Sequence, residues 1–172
     1  MAVEKAAIMA HVSLKKGIGK KFRSAEGLYN MKKVVFIEPL TFMNNSGHII
    51  YPLKRKFQLN HSNMVVVCDN LDLEPGECRI KMGGSSAGHN GLGSILQYLG
   101  TPDFLRIYIG IGRPPYRSDV IPYVLGIPSE QEQALLEKGI ERAAEAILLL
   151  LDHSPQKVMN EFNRRNGKKK DQ

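Results

Sequence analysis

An α/β fold, a three-layer α/β/α sandwich around a mixed, mostly parallel twisted sheet, is predicted by three features of this 172-residue sequence. Short apolar runs alternate with stretches of helical periodicity, the pattern of strands connected through helices. Two of the runs, 33–38 and 64–68, are apolar on both faces, as strands covered from both sides are. Apolar residues make up 42% of the chain, enough to build a core at this length without disulfide or metal support.

The elements follow in order. Val3, Ala6, Ala7, Ala10 and Leu14 recur at helical spacing, with Lys15 and Lys16 in the last turn and Gly17 as the stop. Lys33–Glu38 before Pro39 and Met64–Cys68 read as buried strands. Between them Ser46 is placed to cap a helix carrying Ile49, Ile50, Leu53 and Phe57, with Pro52 as a potential kink. Glu77–Met82 alternates polar and apolar, like a half-exposed strand. Gly83–Gly91 is a glycine-rich loop before a helix over Leu92–Leu99, and Leu105–Ile111 is another strand. Ser129 and Glu132 form a capping box opening a helix to about Leu151, and Ser154-Pro155 starts a last one. No linker-like shift occurs before Asn163, so 1–163 reads as one domain and 164–172 as a basic polar tail.

Several functional classes are disfavoured. Cys68 and Cys78 lie ten apart with no second pair and no histidine at ligand spacing, which argues against a zinc site or disulfide scaffold and for a reducing, cytoplasmic setting. The longest apolar run, Ala146–Leu151, is far short of the roughly 20 residues of a membrane helix. No signal-peptide pattern precedes His11. Neither a phosphate loop nor a dinucleotide fingerprint is present. Charge is more suggestive. The net +7 is distributed as +8 over residues 1–60, −5 over 61–163 and +4 over 164–172. Such asymmetry suits a face that grips a polyanion, or a solvated surface with a basic end.

In an open α/β sheet, ligands gather at the carboxyl ends of strands. Four unusual segments lie there: Pro39–Asn44 with Ser46-Gly47, Asp69–Leu73 with Pro75-Gly76, Gly83–Gly91, and Ile109–Pro114. They would bring Asn44, Asp69, His89 and Asn90 to one rim. A carboxamide presents donors and acceptors in one plane, able to hold an oxyanion or a ribose, and a carboxylate can orient a histidine that acts as a base. Each residue also has a structural reading: Asn44, Asn90 and Asp69 as caps, His89 as a loop anchor, Cys68 as a small buried hydrophobe. His11, His48, His61 and His153 receive no role. Four glycines in nine residues favour a loop that something approaches closely.

These four segments resemble, in order and spacing, the bacterial peptidyl-tRNA hydrolase family, over about residues 1 to 163. The resemblance implies a monomeric α/β enzyme that hydrolyses the ester joining a peptide to the 3′ end of tRNA, without metal or other cofactor. It implies that Asp69 orients the histidine base, and that Phe42, Asn44 and Asn90 hold the tRNA end and the peptide. Met43 and His89 would line the cleft, and Arg79 and Lys81 would face the tRNA, with Arg164, Arg165 and Lys168–Lys170 as further phosphate contacts. Such enzymes begin with a strand, a Gly-x-Asn-Pro-Gly turn and a Thr-Arg-His-Asn segment that carries the base. None of these is in this sequence, so the expectation is an N-terminally incomplete domain lacking an interior strand and the base histidine. Tyr108 stands where relatives carry an arginine. Two other readings follow: a non-catalytic RNA-binding relative, and a hydrolase using His89 as substitute base.

Overall fold

A computed structural model of the protein describes residues 1–17, 19–116 and 119–164. Helix α1 (Ala2–Met9) is shorter than its periodicity predicts, because His11 enters the left-handed region (φ 58°) and breaks the helix before Leu14. The chain then forms β1 (Lys15–Lys16), β2 (Phe22–Tyr29) and β3 (Lys32–Pro39) in an antiparallel sheet ordered β1–β2–β3, in register Lys15↔Ser24 and Ala25↔Phe36. β2 has no apolar run to announce it, since Arg23, Ser24, Glu26 and Gly27 interrupt its alternation. Its pairing is decided by the two-residue Asn30-Met31 turn, where φ is positive at both residues (47° and 65°), a turn that matches the twist of a hairpin.

After a 3-10 segment, Met43–Ile49, helix α2 (Ile50–Phe57) carries Pro52 in its first turn, where the missing N–H costs no helical bond, so no kink results. Ser46 does not cap this helix; its hydroxyl donates to the Met43 carbonyl, 2.8 Å away. A second sheet contains β4 (Val65–Asn70), β5 (Cys78–Met82) and β6 (Leu105–Gly110) in the order β4–β6–β5. β4 runs parallel to β6 (Val67↔Ile107) and β5 antiparallel to it (Ile80↔Ile107). The sheet system is thus mixed as expected, but parallel pairing is confined to β4–β6. The tight β2–β3 hairpin and the short connection over residues 71–77 both reverse the chain, and reversal imposes antiparallel ladders.

Helices cover both faces. Val67, Ile107 and Ile80 point toward α5 (Glu130–Asp152) and α6 (Pro155–Phe162), packing with Ala143, Ala146 and Val158. Val66, Cys68 and Tyr108, one residue along, point the other way to Ile50 of α2 and Leu92 and Leu99 of α3 (Asn90–Leu99). In the first sheet Ala25 and Phe36 pack on α1 and α5, while Phe22 and Ile37 pack on Leu53. The 23-residue α5, opened by the Ser129–Glu132 capping box, therefore backs both sheets. The short α4 (Val120–Leu125) lies between β6 and α5 in the chain.

One feature departs from the apolar-run reading. β3 and β4, expected inside a continuous sheet, are outer strands of separate sheets, and Val65 is 38% exposed. Both line a cavity of about 1560 Å³, covered by α5 on one side and by α2 and α3 on the other. Among the described residues no helix is long and apolar enough to cross a membrane.

Candidate active site

The site is assembled where β4 ends and α3 begins. Asp69, near the end of β4, accepts a hydrogen bond from His89 Nε2 at 3.1 Å. His89 is the N-cap of α3, its Nδ1 accepting from the Leu92 N–H, also at 3.1 Å. Because Nδ1 receives a backbone proton, the ring carries its own proton on Nε2 and directs it to Asp69. Both nitrogens are committed, and His89 has no lone pair left to take a proton from water. Burial pushes the Asp69 carboxyl up, but the hydrogen bond from His89, with a backbone N–H, outweighs it and holds it below the usual carboxylate range.

Asn90 is the first residue of α3, beside the cap and not itself the cap. Asn44 lies in the 3-10 segment, which has no side-chain cap. Both are exposed, and among the described residues neither carboxamide has a hydrogen-bond partner. Gly47 and Gly91 seat the 3-10 segment that carries Asn44 against α3, which begins at Asn90. A Cβ on Gly47 would fall 2.2 Å from the Ser94 carbonyl oxygen, and the Gly47 N–H donates to Ser94 Oγ at 2.9 Å, so the 3-10 segment rests directly on α3. At Gly91 a Cβ would fall 2.6 Å from Met43 Sδ, so Met43 closes over the start of the helix. Phe42 stands 84% exposed beside it, an aromatic face turned to solvent.

The remaining predicted residues take different places. Arg79 and Lys81 alternate with the buried Cys78 and Ile80 along β5 and so share its opposite face. Arg79 pairs with Glu77 at 2.6 Å, and the ammonium end of Lys81 lies against Gly84 of the glycine-rich loop. Ile109–Pro114 starts beside the site, since Ile109 pairs in register with Asp69 and Gly110 with Asn70. It braces the segment after β4: Gly76 N–H donates to the Gly110 carbonyl, Gly112 N–H to the Leu73 carbonyl, and Arg113 pairs with Asp72 at 2.6 Å. Burial, then the charge of Asp69, pushes the Cys68 thiol up to about 12, so it is un-ionised at neutral pH, as a small buried hydrophobe is. His48 meets Tyr98 edge-on, His61 Nδ1 lies 3.0 Å from the Asp103 carbonyl, and His153 Nδ1 lies 3.4 Å from Lys157 Nζ, all apart from Asp69. Arg165 and Lys168–Lys170 lie outside the described residues, and Arg164 is exposed.

Peptidyl-tRNA hydrolase is the family whose sequence model matches this chain, over residues 1–171. The chain belongs to that family. It is 44% identical over 147 residues to the peptidyl-tRNA hydrolase of Staphylococcus aureus (strain JH9), covering 84% of this chain and 77% of the relative. With the peptidyl-tRNA hydrolase of Aquifex aeolicus (strain VF5) the identity is 40% over 135 residues, covering 78% and 70%. The solved peptidyl-tRNA hydrolase from Acinetobacter baumannii superposes with a TM-score of 0.88 at 32% identity, over 95% of this chain and 83% of that one. Within this peptidyl-tRNA hydrolase fold, one residue escapes a motif reading. Arg106, fully buried in β6, donates through Nη1 to the Ser85 carbonyl at 2.7 Å and through Nη2 to the carbonyls of Gly84 and Pro102, and it sits over the Phe104 ring at 4.5 Å. It shapes the loop that delivers His89. Its signal in the sequence is an arginine between Leu105 and Ile107, a charge that an apolar strand buries only with partners; here Nη1 and Nη2 have them and, among the described residues, the buried Nε has none. The Tyr108 hydroxyl lies 3.4 Å from Arg106 Nη1.

Proposed function

We propose that this chain hydrolyses the ester between peptide and tRNA in peptidyl-tRNA, and that the rim of Asp69, His89, Asn90 and Asn44 is where the ester lies. The observation that carries this reading is the pair of exposed carboxamides without partners flanking the Asp69–His89 hydrogen bond, in a chain of this family. In the reaction a base, the histidine that the resemblance implies and this sequence lacks, takes a proton from water, the water oxygen bonds to the ester carbonyl carbon, and the ribose oxygen leaves with a proton. Asn44 and Asn90 are suited to donate N–H bonds to the carbonyl oxygen as it becomes an oxyanion. Asp69 is suited to orient a histidine, as it orients His89. Phe42 offers a face on which the terminal adenine can stack, and Arg79 and Lys81 offer sequence-independent contacts to phosphate. Residues 1–163 would be the working unit, a cytoplasmic monomer.

The test is release of an N-acetylated aminoacyl group from tRNA, followed as acid-soluble product. Asn90→Ala and Asn44→Ala should each lower kcat/KM by about 10²-fold, the size expected for an oxyanion donor, with little change in fold. Unchanged rates in both would overturn the assignment of this rim.

A second reading, RNA binding without turnover, is favoured by one observation: His89 has both ring nitrogens engaged and cannot act as base. It predicts tight, salt-sensitive tRNA binding and hydrolysis no faster than the uncatalysed reaction. The same geometry weighs against His89 as a substitute base, since a base needs a free lone pair within reach of water.

A further inference from the structure

The 3-10 segment, α2 and α3 come from stretches of sequence without a carboxylate: neither 39–68 nor 78–102 contains an Asp or Glu, although the chain has 17. Their outer side is aromatic. Tyr51 is 66% and Tyr98 44% exposed, and His48 is exposed as well. The His48 and Tyr98 rings meet with centroids 5.1 Å apart and planes at 62°, edge to face, so each leaves a face uncovered by the other. His48 and Tyr51 are three apart where the 3-10 segment runs into α2, and Lys54 and Arg55 follow Tyr51 by three and four, so they neighbour one another along that element. Among the described residues the Tyr51 and Tyr98 hydroxyls have no hydrogen bond, and Lys54 and Arg55 have no ion pair. The next residue, Lys56, is by contrast paired with Glu26 at 2.9 Å.

Exposed rings beside unpaired cations, with no carboxylate among them, suit a strand of unpaired nucleotides, whose bases stack on the rings and whose phosphates meet the cations. A duplex, its bases already stacked, would leave the rings unused, and an acidic peptide would use only the cations. The face is also continuous with the rim. Met43 lies against Gly91 and the Tyr98 ring against Gly47, so one seam between the 3-10 segment and α3 runs from Asn90 to Tyr98, about 12 Å of helix. Lys81 stands at the far end of that seam: it lies against Gly84, and Arg106 Nη2 donates to the carbonyls of both Gly84 and Pro102, the latter just past α3.

We infer that His48, Tyr51 and Tyr98 form a stacking platform for the unpaired nucleotides that precede the terminal adenosine of tRNA, with Lys54 and Arg55 on their phosphates. This rests on the reading that the tRNA end lies at the rim.

The test is tRNA binding by the full chain, followed by fluorescence anisotropy with intact tRNA and with the same tRNA trimmed of its unpaired 3′ nucleotides. Tyr51→Leu should weaken binding of intact tRNA at least about fivefold, the low end for one stacked base, and leave binding of trimmed tRNA unchanged. Tyr51→Phe should bind intact tRNA like the wild type, since the ring and not the hydroxyl stacks. Lys54→Ala and Arg55→Ala should each lower the salt slope for intact tRNA by about 0.7. Wild-type affinity in Tyr51→Leu, an equal loss with trimmed tRNA, an equal loss in Tyr51→Phe, or unchanged salt slopes would overturn the platform and leave the reading of the rim standing. No tRNA binding by the wild type would overturn both.

Discussion

Asp69 shows how one residue's chemistry is set by neighbours distant in the chain. Burial raises its pKa, and the His89 bond, from a residue 20 positions on, lowers it further than burial raises it. A carboxyl with a depressed folded pKa contributes stability above the ordinary value of about 3.9, and loses that contribution as pH falls through the lower folded value. Thermal unfolding monitored by circular dichroism should therefore show Tm dropping between about pH 4 and pH 2 more steeply in the wild type than in Asp69→Asn. Equal slopes would mean that Asp69 is not held by His89. At this scale the motif residues were readable as a set, because carboxamides, a carboxylate and a histidine beside glycines are a recognisable chemical vocabulary. Their division of labour was not. Whether His89 acts as base or anchor depends on where the Leu92 N–H points, which no residue type reveals.

At the scale of elements, placement rests on close approaches. The 3-10 segment that holds Met43 and Asn44, with Phe42 just before it, sits on α3 only because Gly47 has no Cβ to meet the Ser94 carbonyl. Gly47→Ala should cost about 1–3 kcal/mol in urea denaturation, the range for overpacking, and should weaken tRNA binding by moving Asn44 away from Asn90. Loss of stability with binding unchanged would separate the segment from the site. The helices with side-chain caps were the legible ones: the Ser129–Glu132 box and Ser154-Pro155 lie where the sequence places them. α1 and β2 were not. α1 continues in periodicity beyond the point where His11 turns the backbone, and β2 is a strand through its pairing with β3 and not through its own composition.

For the whole molecule, charge is the property that acts at longest range. Each phosphate contacted by a single-stranded or duplex region adds about 0.7–0.9 to the slope of log affinity against log salt. Arg79→Ala, with a parallel measurement on Lys81→Ala, should each reduce the salt slope of tRNA binding by about 1, read by filter binding between 50 and 200 mM salt. Slopes equal to the wild type would place the tRNA on another face. The sequence by itself determined the α/β class, the family and the basic character of the ends, because these reside in periodicity, ordered motifs and composition. Only the tertiary structure decided that His89 anchors α3 and that Arg106 sets the glycine-rich loop. The physical reason is the same in both cases: hydrogen-bond partners are relations between segments far apart in the chain, and a local pattern carries the demand for a partner without its identity.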